Sequence, residues 1–286
     1  MANPKLPTDG THELQERYAQ NILKVLRKKN PLRLRGGRDY EGDPLAGAIK
    51  VPQRDTEVTV AAYDVVTGTP LTTGATVYRT ITVEKNYAVN ELIDDYEANA
   101  VPDRLVAQRL DSAAYAMYSQ EEADFISELK TAGTESSNVT ALTIDTAYSS
   151  ISTEVGELLK LGIDPETITV AITTDIETLL LTDTKYTNTA SQIGAERAMS
   201  GVINMVRGAE VVRSDKLGLI NTTNVVEFIV FCKDYAQVGD EWKKLPNIED
   251  LKDGVHIGAS ALQGRSVYWN DVTRATGVRI KRDSTS

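Results

Sequence analysis

Histidine and cysteine are scarce: His12, His256 and Cys232 are the only residues of those types in the 286-residue chain. A Ser-His-Asp triad or a histidine-rich metal site therefore has little to draw on. A cysteine-based zinc site and an intrachain disulfide are excluded. Cys232 lies in the apolar run VVEFIVFC and reads as a small buried hydrophobe, and His256, beside VHIGASALQG, reads as a structural histidine. Phosphate-cradling glycine patterns are missing as well. Neither the P-loop spacing nor G-x-G-x-x-G occurs, so nucleotide binding has no support. No run of about 18 apolar residues is present, and the opening MANPKLPTDG has neither the apolar stretch nor the cleavage site of a signal peptide. A soluble chain made in the cytoplasm is expected, with no catalytic, metal or cofactor site.

Charge is abundant but unevenly placed. Residues 1–54 carry 11 Lys and Arg against 6 Asp and Glu, which leaves 20 against 35 for the remainder of a chain whose net charge is -10. A basic head precedes an acidic body. A nucleic-acid arm would fit, but so diluted a cationic segment makes a weak phosphate footprint, and docking on the acidic body of a neighbouring copy fits better. Steeply salt-dependent DNA binding is what the nucleic-acid reading requires.

Along the chain, THELQERYAQNILKVLRKKN places Leu14, Tyr18, Ile22, Val25 and Leu26 at helical spacing, with Lys28 and Lys29 at the favourable C-terminal end. Pro31 stops this helix. Its apolar side lacks Trp and Phe and its polar face mixes both signs, so it does not read as a membrane anchor. The glycine-rich LRLRGGRDYEGDPLAG then reads as an extended arm, and deletion of residues 1–50 is expected to harm assembly more than folding. Residues 56–90 read as a long hairpin, with legs TEVTVAAYDVV and ATVYRTITVEK around the tip TGTPLTTG. Legs of roughly ten residues reach about 33 Å, and so long an isolated ribbon requires a partner surface.

Next, Pro102, Asp103 and Gly133 frame a helix of about 30 residues, roughly 45 Å long. Its apolar stripe runs through Val106, Leu110, Ala113 and Met117, is interrupted at Glu121, and resumes at Phe125, Ile126 and Leu129. From about residue 140 short helices and strands alternate. Asp145 is placed to cap a helix bearing Tyr148, Ile151, Val155, Leu158 and Leu159 and ending at Gly162. TITVAIT, MVRGAEVVRS and VVEFIVFC read as strands and TDIETLLLTD as a capped short helix, while SVYWN and TGVRIKR return as a closing strand. The class is α+β.

Acidic pairs at Asp94 and Asp95, Glu121 and Glu122, and Glu249 and Asp250 could supply a carboxylate-dependent hydrolase, but adjacent carboxylates point apart and are usually solvated. The sequons at Asn138 and Asn221 carry no meaning without secretion.

The order of basic arm, long hairpin, spine helix, α+β domain and returning strand resembles the major capsid proteins of tailed bacteriophages, of the Hong Kong 97 type. The resemblance is carried by VNELIDDYEANAVPDRLVAQRLDSAAYAMYSQEEADFISEL, by TTDIETLLLTDTKYTNTASQIGAERAMSGVINMVRGAEVVRSDKL and by VHIGASALQGRSVYWNDVTRATGVRIKR. It implies an N-terminal arm at 1–50, an extended loop at 51–93, a peripheral domain at 94–138 and 262–286, and an axial domain at 139–261.

It also implies a structural protein, not an enzyme. Pentamers and hexamers would self-assemble in the host bacterial cytoplasm into an icosahedral-type shell, the virion capsid, enclosing double-stranded DNA without sequence-specific contacts. An encapsulin-like compartment is the alternative on the same fold. Portal and decoration proteins are implied partners. With only about 50 residues before the hairpin, too few for another domain of ordinary size, a separate scaffolding protein is expected. Cross-linking members of the family join a lysine near the loop tip to a neighbour's asparagine; residues 67–76 hold no lysine, and Lys85 falls towards the hairpin base. A shell without covalent links is expected.

Overall fold

The computed structural model describes residues 32–40, 47–54, 60–69, 76–94, 104–187, 205–218, 225–252 and 254–283, with the backbone alone at 53–54 and 104–107. The helix expected at 12–29 lies outside them. In chain order the elements are a 3-10 turn at Leu32–Arg35, strands β1 (Ala48–Arg54), β2 (Thr76–Thr82) and β3 (Lys85–Asp94), helix α1 (Arg104–Ala132), β4 (Thr134–Glu135), α2 (Ala147–Lys160), β5 (Ile168–Ile172), α3 (Thr174–Thr182), β6 (Met205–Val206), β7 (Ala209–Arg213), β8 (Val226–Cys232), β9 (Ala236–Asp250), β10 (Ala259–Val272) and β11 (Val278–Arg282).

Strands β5 and β8 are buried at every residue, which is why their sequences are mostly apolar instead of alternating, broken by Thr169 and Glu227. They lie inside a six-stranded mixed sheet of order β4-β11-β8-β5-β7-β6. Ile168, Val170, Ile172, Phe228 and Val230 point to one face, where Ile151, Val155 and Leu158 of α2 and Ile176 and Leu180 of α3 cover them. Ala171, Ile229, Phe231, Val278 and Ile280 point to the other, where Phe125, Ile126 and Leu129 of α1 pack. Phe125 meets Phe231 edge to face at 5.7 Å. Cys232 is buried as expected, and burial pushes its thiol pKa up.

Helix α1 serves a second sheet as well. The three-stranded antiparallel sheet β3-β10-β9 packs Ile93 and Leu262 against Ala113, with Leu110 alongside. The helix is 29 residues long, about 44 Å, and ends where Gly133 fits between Val278 and Ile280. A Cβ there would lie 2.8 Å from both side chains. Its N-terminal half therefore lies on one sheet and its C-terminal half on the other.

Two expectations are corrected. The partner of β2 is β1, from Ala48↔Thr82 to Arg54↔Thr76, and not residues 56–66. Ile49, Val51 and Ile81 alternate onto a shared apolar cluster around Trp269, which 60–66 does not reach. Pro52 is tolerated because a two-stranded ribbon leaves its strand edges open. Lys50, opposite Thr80, therefore lies on the hairpin, whereas Lys85 opens β3 and pairs with Tyr268 of β10. Thr146, not Asp145, is the N-cap of α2. The Asp145 carbonyl accepts a hydrogen bond from Lys185 Nζ at 2.6 Å.

Strand β9 was not legible in the sequence, because Gly239, Pro246 and several charges obscure its alternation. A register shift between Gln263 and Arg265 of β10 accommodates Pro246. Gly239 lies flat beneath the Trp269 indole, and a Cβ there would sit 2.4 Å from ring atoms Cε2 and Nε1. Replacing Gly239 by Ala should lower stability by about 1–3 kcal/mol, as overpacking does. Gly218→Ala, with open space around the site, should leave the urea midpoint unchanged.

Candidate assembly surface

The β1–β2 hairpin is anchored at its base and bare beyond it. Val51 and Ile81 bury against Trp269, with Tyr40, Ile49 and Val83 packed around them. Beside this cluster Arg79 grips Asp271 with two hydrogen bonds, Nε at 3.0 Å and Nη2 at 2.6 Å, and its Nη1 reaches the Thr273 carbonyl. A bidentate pair of this kind fixes orientation as well as position.

Between the strands the chain forms an ordered turn. Asp64 Oδ1 accepts hydrogen bonds from the N–H groups of Val66 at 2.7 Å and Thr67 at 3.1 Å, and Gly68 N–H closes onto the Asp64 carbonyl with Gly68 at φ 70°. The Val66 and Thr67 amides hold the Asp64 pKa below the usual carboxylate value. The turn thus keeps its shape and charge while presenting apolar side chains to water. Val60, Tyr63, Val65 and Val66 are 98, 74, 88 and 91% exposed. Val77 and Tyr78 on β2 extend the same exposed apolar character along the ribbon. Scattered exposed hydrophobics need no explanation, but four within seven residues of an ordered turn mark a surface awaiting cover.

The segment before the hairpin is part of the body. Leu32 is fully buried with Phe125 and Leu217. Arg33 enters between α1 and strands β9 and β10, where its Nη1 lies 3.4 Å from Glu121 Oε2 and its Nη2 lies 2.8 Å from Asp240 Oδ1. Its Nε donates to Asn270 Oδ1 and its guanidinium lies over the Tyr268 ring. Gly37 then adds a parallel bridge to Gln237, donating to the Ala236 carbonyl and accepting from the Val238 N–H, both at 2.8 Å. Gly36 and Gly37 permit this approach, since a Cβ on Gly37 would lie 2.5 Å from the Lys233 carbonyl. Arg35 and Arg38 pair with Glu210 and Asp240. Over residues 32–40, then, the expected docking of the basic arm on an acidic body takes place within one chain.

The acidic pairs fare differently from expectation. Glu121 and Glu122 are buried, not solvated. Glu121 Oε1 accepts from Lys243 Nζ at 2.7 Å and Ser266 Oγ at 2.8 Å, while Oε2 faces Arg33. Nearby, Tyr268 Oη donates to Asp124 at 2.6 Å; burial and that carboxylate push the phenol pKa far up. Glu249 pairs with Lys244, and Ser260 Oγ lies 3.5 Å from Asp250. Asp94 ends β3, and Asp95 lies outside the described residues. His256 is exposed in the β9–β10 connection instead of being packed as a structural histidine, and His12 lies outside the described residues. Among the described residues no three His, Cys, Asp or Glu side chains cluster as a metal site would need. The polar interruption at Glu121 was the one signal in the sequence that could have revealed the junction.

Removing one member of such a buried set strands its partners. Glu121→Ala should destabilise the protein by about 3–5 kcal/mol, read as a lower urea midpoint. Replacing Arg33, Glu121 and Lys243 together by apolar residues should recover most of that loss.

No family model matches the sequence, and no curated protein matches it. Solved structures do. A chain of Mycobacterium phage Che8 superposes with a TM-score of 0.78 at 18% identity, covering 96% of this chain and 98% of its own. A chain from the capsid of the cyanophage P-SCSP1u gives 0.72 at 14% identity, covering 93% and 92%. One from the mature capsid of bacteriophage PhiM1 gives 0.72 at 12% identity, covering 94% and 91%. The chain therefore has the α+β phage-capsid fold over nearly its whole length, as its resemblance to the Hong Kong 97 type implies.

Proposed function

We propose that this chain is a major capsid protein, a structural subunit that self-assembles through pentamers and hexamers into an icosahedral-type shell around the double-stranded DNA of a tailed phage. The observation that carries the reading is the ordered apolar turn at Tyr63–Val66, exposed on a hairpin whose base is locked to the body. A ribbon of seven paired residues per strand has too little cover to need such a turn for its own stability, whereas a neighbouring copy would bury it. The fold shared with capsid chains over more than nine-tenths of each chain supports the same role.

On this reading residues 1–50 are the arm, 51–93 the extended loop, 94–138 with 262–286 the peripheral domain, and 139–261 the axial domain. Strand β10 runs across the last boundary and ties the two domains together. The acidic remainder of the chain suits a wall that encloses DNA without gripping phosphate. Scaffolding, portal and decoration proteins would be its partners in the particle.

Purified protein should form closed particles or discrete five-fold and six-fold oligomers by negative-stain microscopy. A compact monomer at high concentration in sedimentation velocity contradicts the reading. The 21 residues between β1 and β2 contain no lysine, so boiled mature particles should run as one band near 31.3 kDa; a ladder of multimers refutes a shell held without covalent links.

The arm should also divide at Leu32. Deleting residues 1–31, which hold the helix expected at 12–29, should leave the urea midpoint of the body intact. Deleting residues 1–40 should lower the unfolding free energy by several kcal/mol, since it empties a buried Leu site and removes Arg33 from Glu121.

A further inference from the structure

Glu121 and Glu122 are consecutive on α1 and almost equally hidden, at 2 and 4% exposure, yet they are met by different chemistry. Glu121 faces two cations and a hydroxyl. Glu122 has no ion-pair partner among the described residues. Its donors are Ser214 Oγ at 3.4 Å and the backbone N–H of Leu32. The carboxyl thus stands where three elements meet: the middle of α1, the turn after β7 that carries Ser214 to Leu217, and the first buried residue of the strap formed by 32–40. That turn is itself tied to the helix, since Lys130 Nζ donates to the Leu217 carbonyl at 2.7 Å.

The charged groups around Glu122 do not compensate it. From the strap, Arg33 is turned towards Glu121 and Asp240. From the turn after β7, Lys216 favours the carboxylate and Asp215 opposes it. Glu121 of the same helix is a further negative charge. Burial without a cation disfavours the ionised form.

We propose that Glu122 is a proton-controlled latch for the Leu32 end of the strap. Neutral, it lets Leu32 sit dry between α1 and the turn after β7; ionised, it draws water into that seat and loosens it. Burial raises the Glu122 pKa to about 7 from an ordinary 4.5. The sign follows: the folded form binds the proton more tightly than the open form, so the hold is full below about pH 4.5. It weakens as pH rises towards 7 and levels off above that.

Hydrogen exchange of the full-length protein, corrected for the intrinsic pH dependence of amide exchange, tests this. Peptides covering residues 32–36 report the latch, and Ile168–Ile172 of β5 report global opening. Strap protection should fall by up to about tenfold per pH unit between pH 5 and 7, without a matching fall in β5. In Glu122→Gln, which keeps the shape without the charge, it should stay high and flat. If Glu122→Gln does not fold, Glu122→Met answers the same question. A variant profile that superimposes on the wild type overturns the proposal, as does a fall in β5 equal to that in the strap.

Discussion

One buried carboxylate sets the geometry of this molecule. Helix α1 must cover two sheets, and its apolar stripe breaks where it passes from one to the other. Glu121 occupies the break. A buried carboxylate is tolerated only with full compensation, and the compensation comes from elements distant in sequence: Arg33 of the strap, Lys243 of β9 and Ser266 of β10. The requirement to satisfy one charge therefore brings the arm, the spine helix and the three-stranded sheet into a single arrangement. Apolar packing alone would allow these elements to slide along the helix. Directional hydrogen bonds to a fixed carboxylate do not.

That arrangement positions the hairpin. Trp269 lies on β10 three residues beyond Ser266, with Gly239 of β9 flat against its indole, so the platform under Val51 and Ile81 is built on the same strand that Glu121 holds. Asp271, two residues further, receives Arg79. The same strand thus links the junction to the hairpin base. Beyond the base the turn at Asp64 keeps its own shape through local hydrogen bonds but covers none of its valines. Buried groups at the centre and bare valines at one turn are what the proposed array of identical copies requires, each copy covering the turn of the next.

The sequence disclosed what local pattern can disclose. The spine helix, the fully buried strands β5 and β8 and the stop at Gly133 follow from apolar period, length and a breaker, and each is found within a residue or two. Long-range pairing was not accessible in this way. Residues 56–66 have the composition of a strand, but β1 wins the pairing because Ile49 and Val51 can reach Trp269, more than two hundred residues away. Strand β9 was hidden because its partners, not its own side chains, make it a strand. The pair Glu121 and Glu122 looked like a solvated stretch because the groups that bury them, and the cations that compensate Glu121, belong to other elements. Burial of charge is a tertiary fact that spacing along a helix does not announce.

The central claim is that the body is complete in a single copy and the Tyr63–Val66 turn is completed only by another. Hydrogen exchange mapped along the chain before and after particle formation tests both halves at once. The account predicts slow exchange at β5, β8 and the strap in both states, and slowing at residues 60–69 only in particles. Equal exchange at 60–69 in the two states, with particles formed, would contradict it.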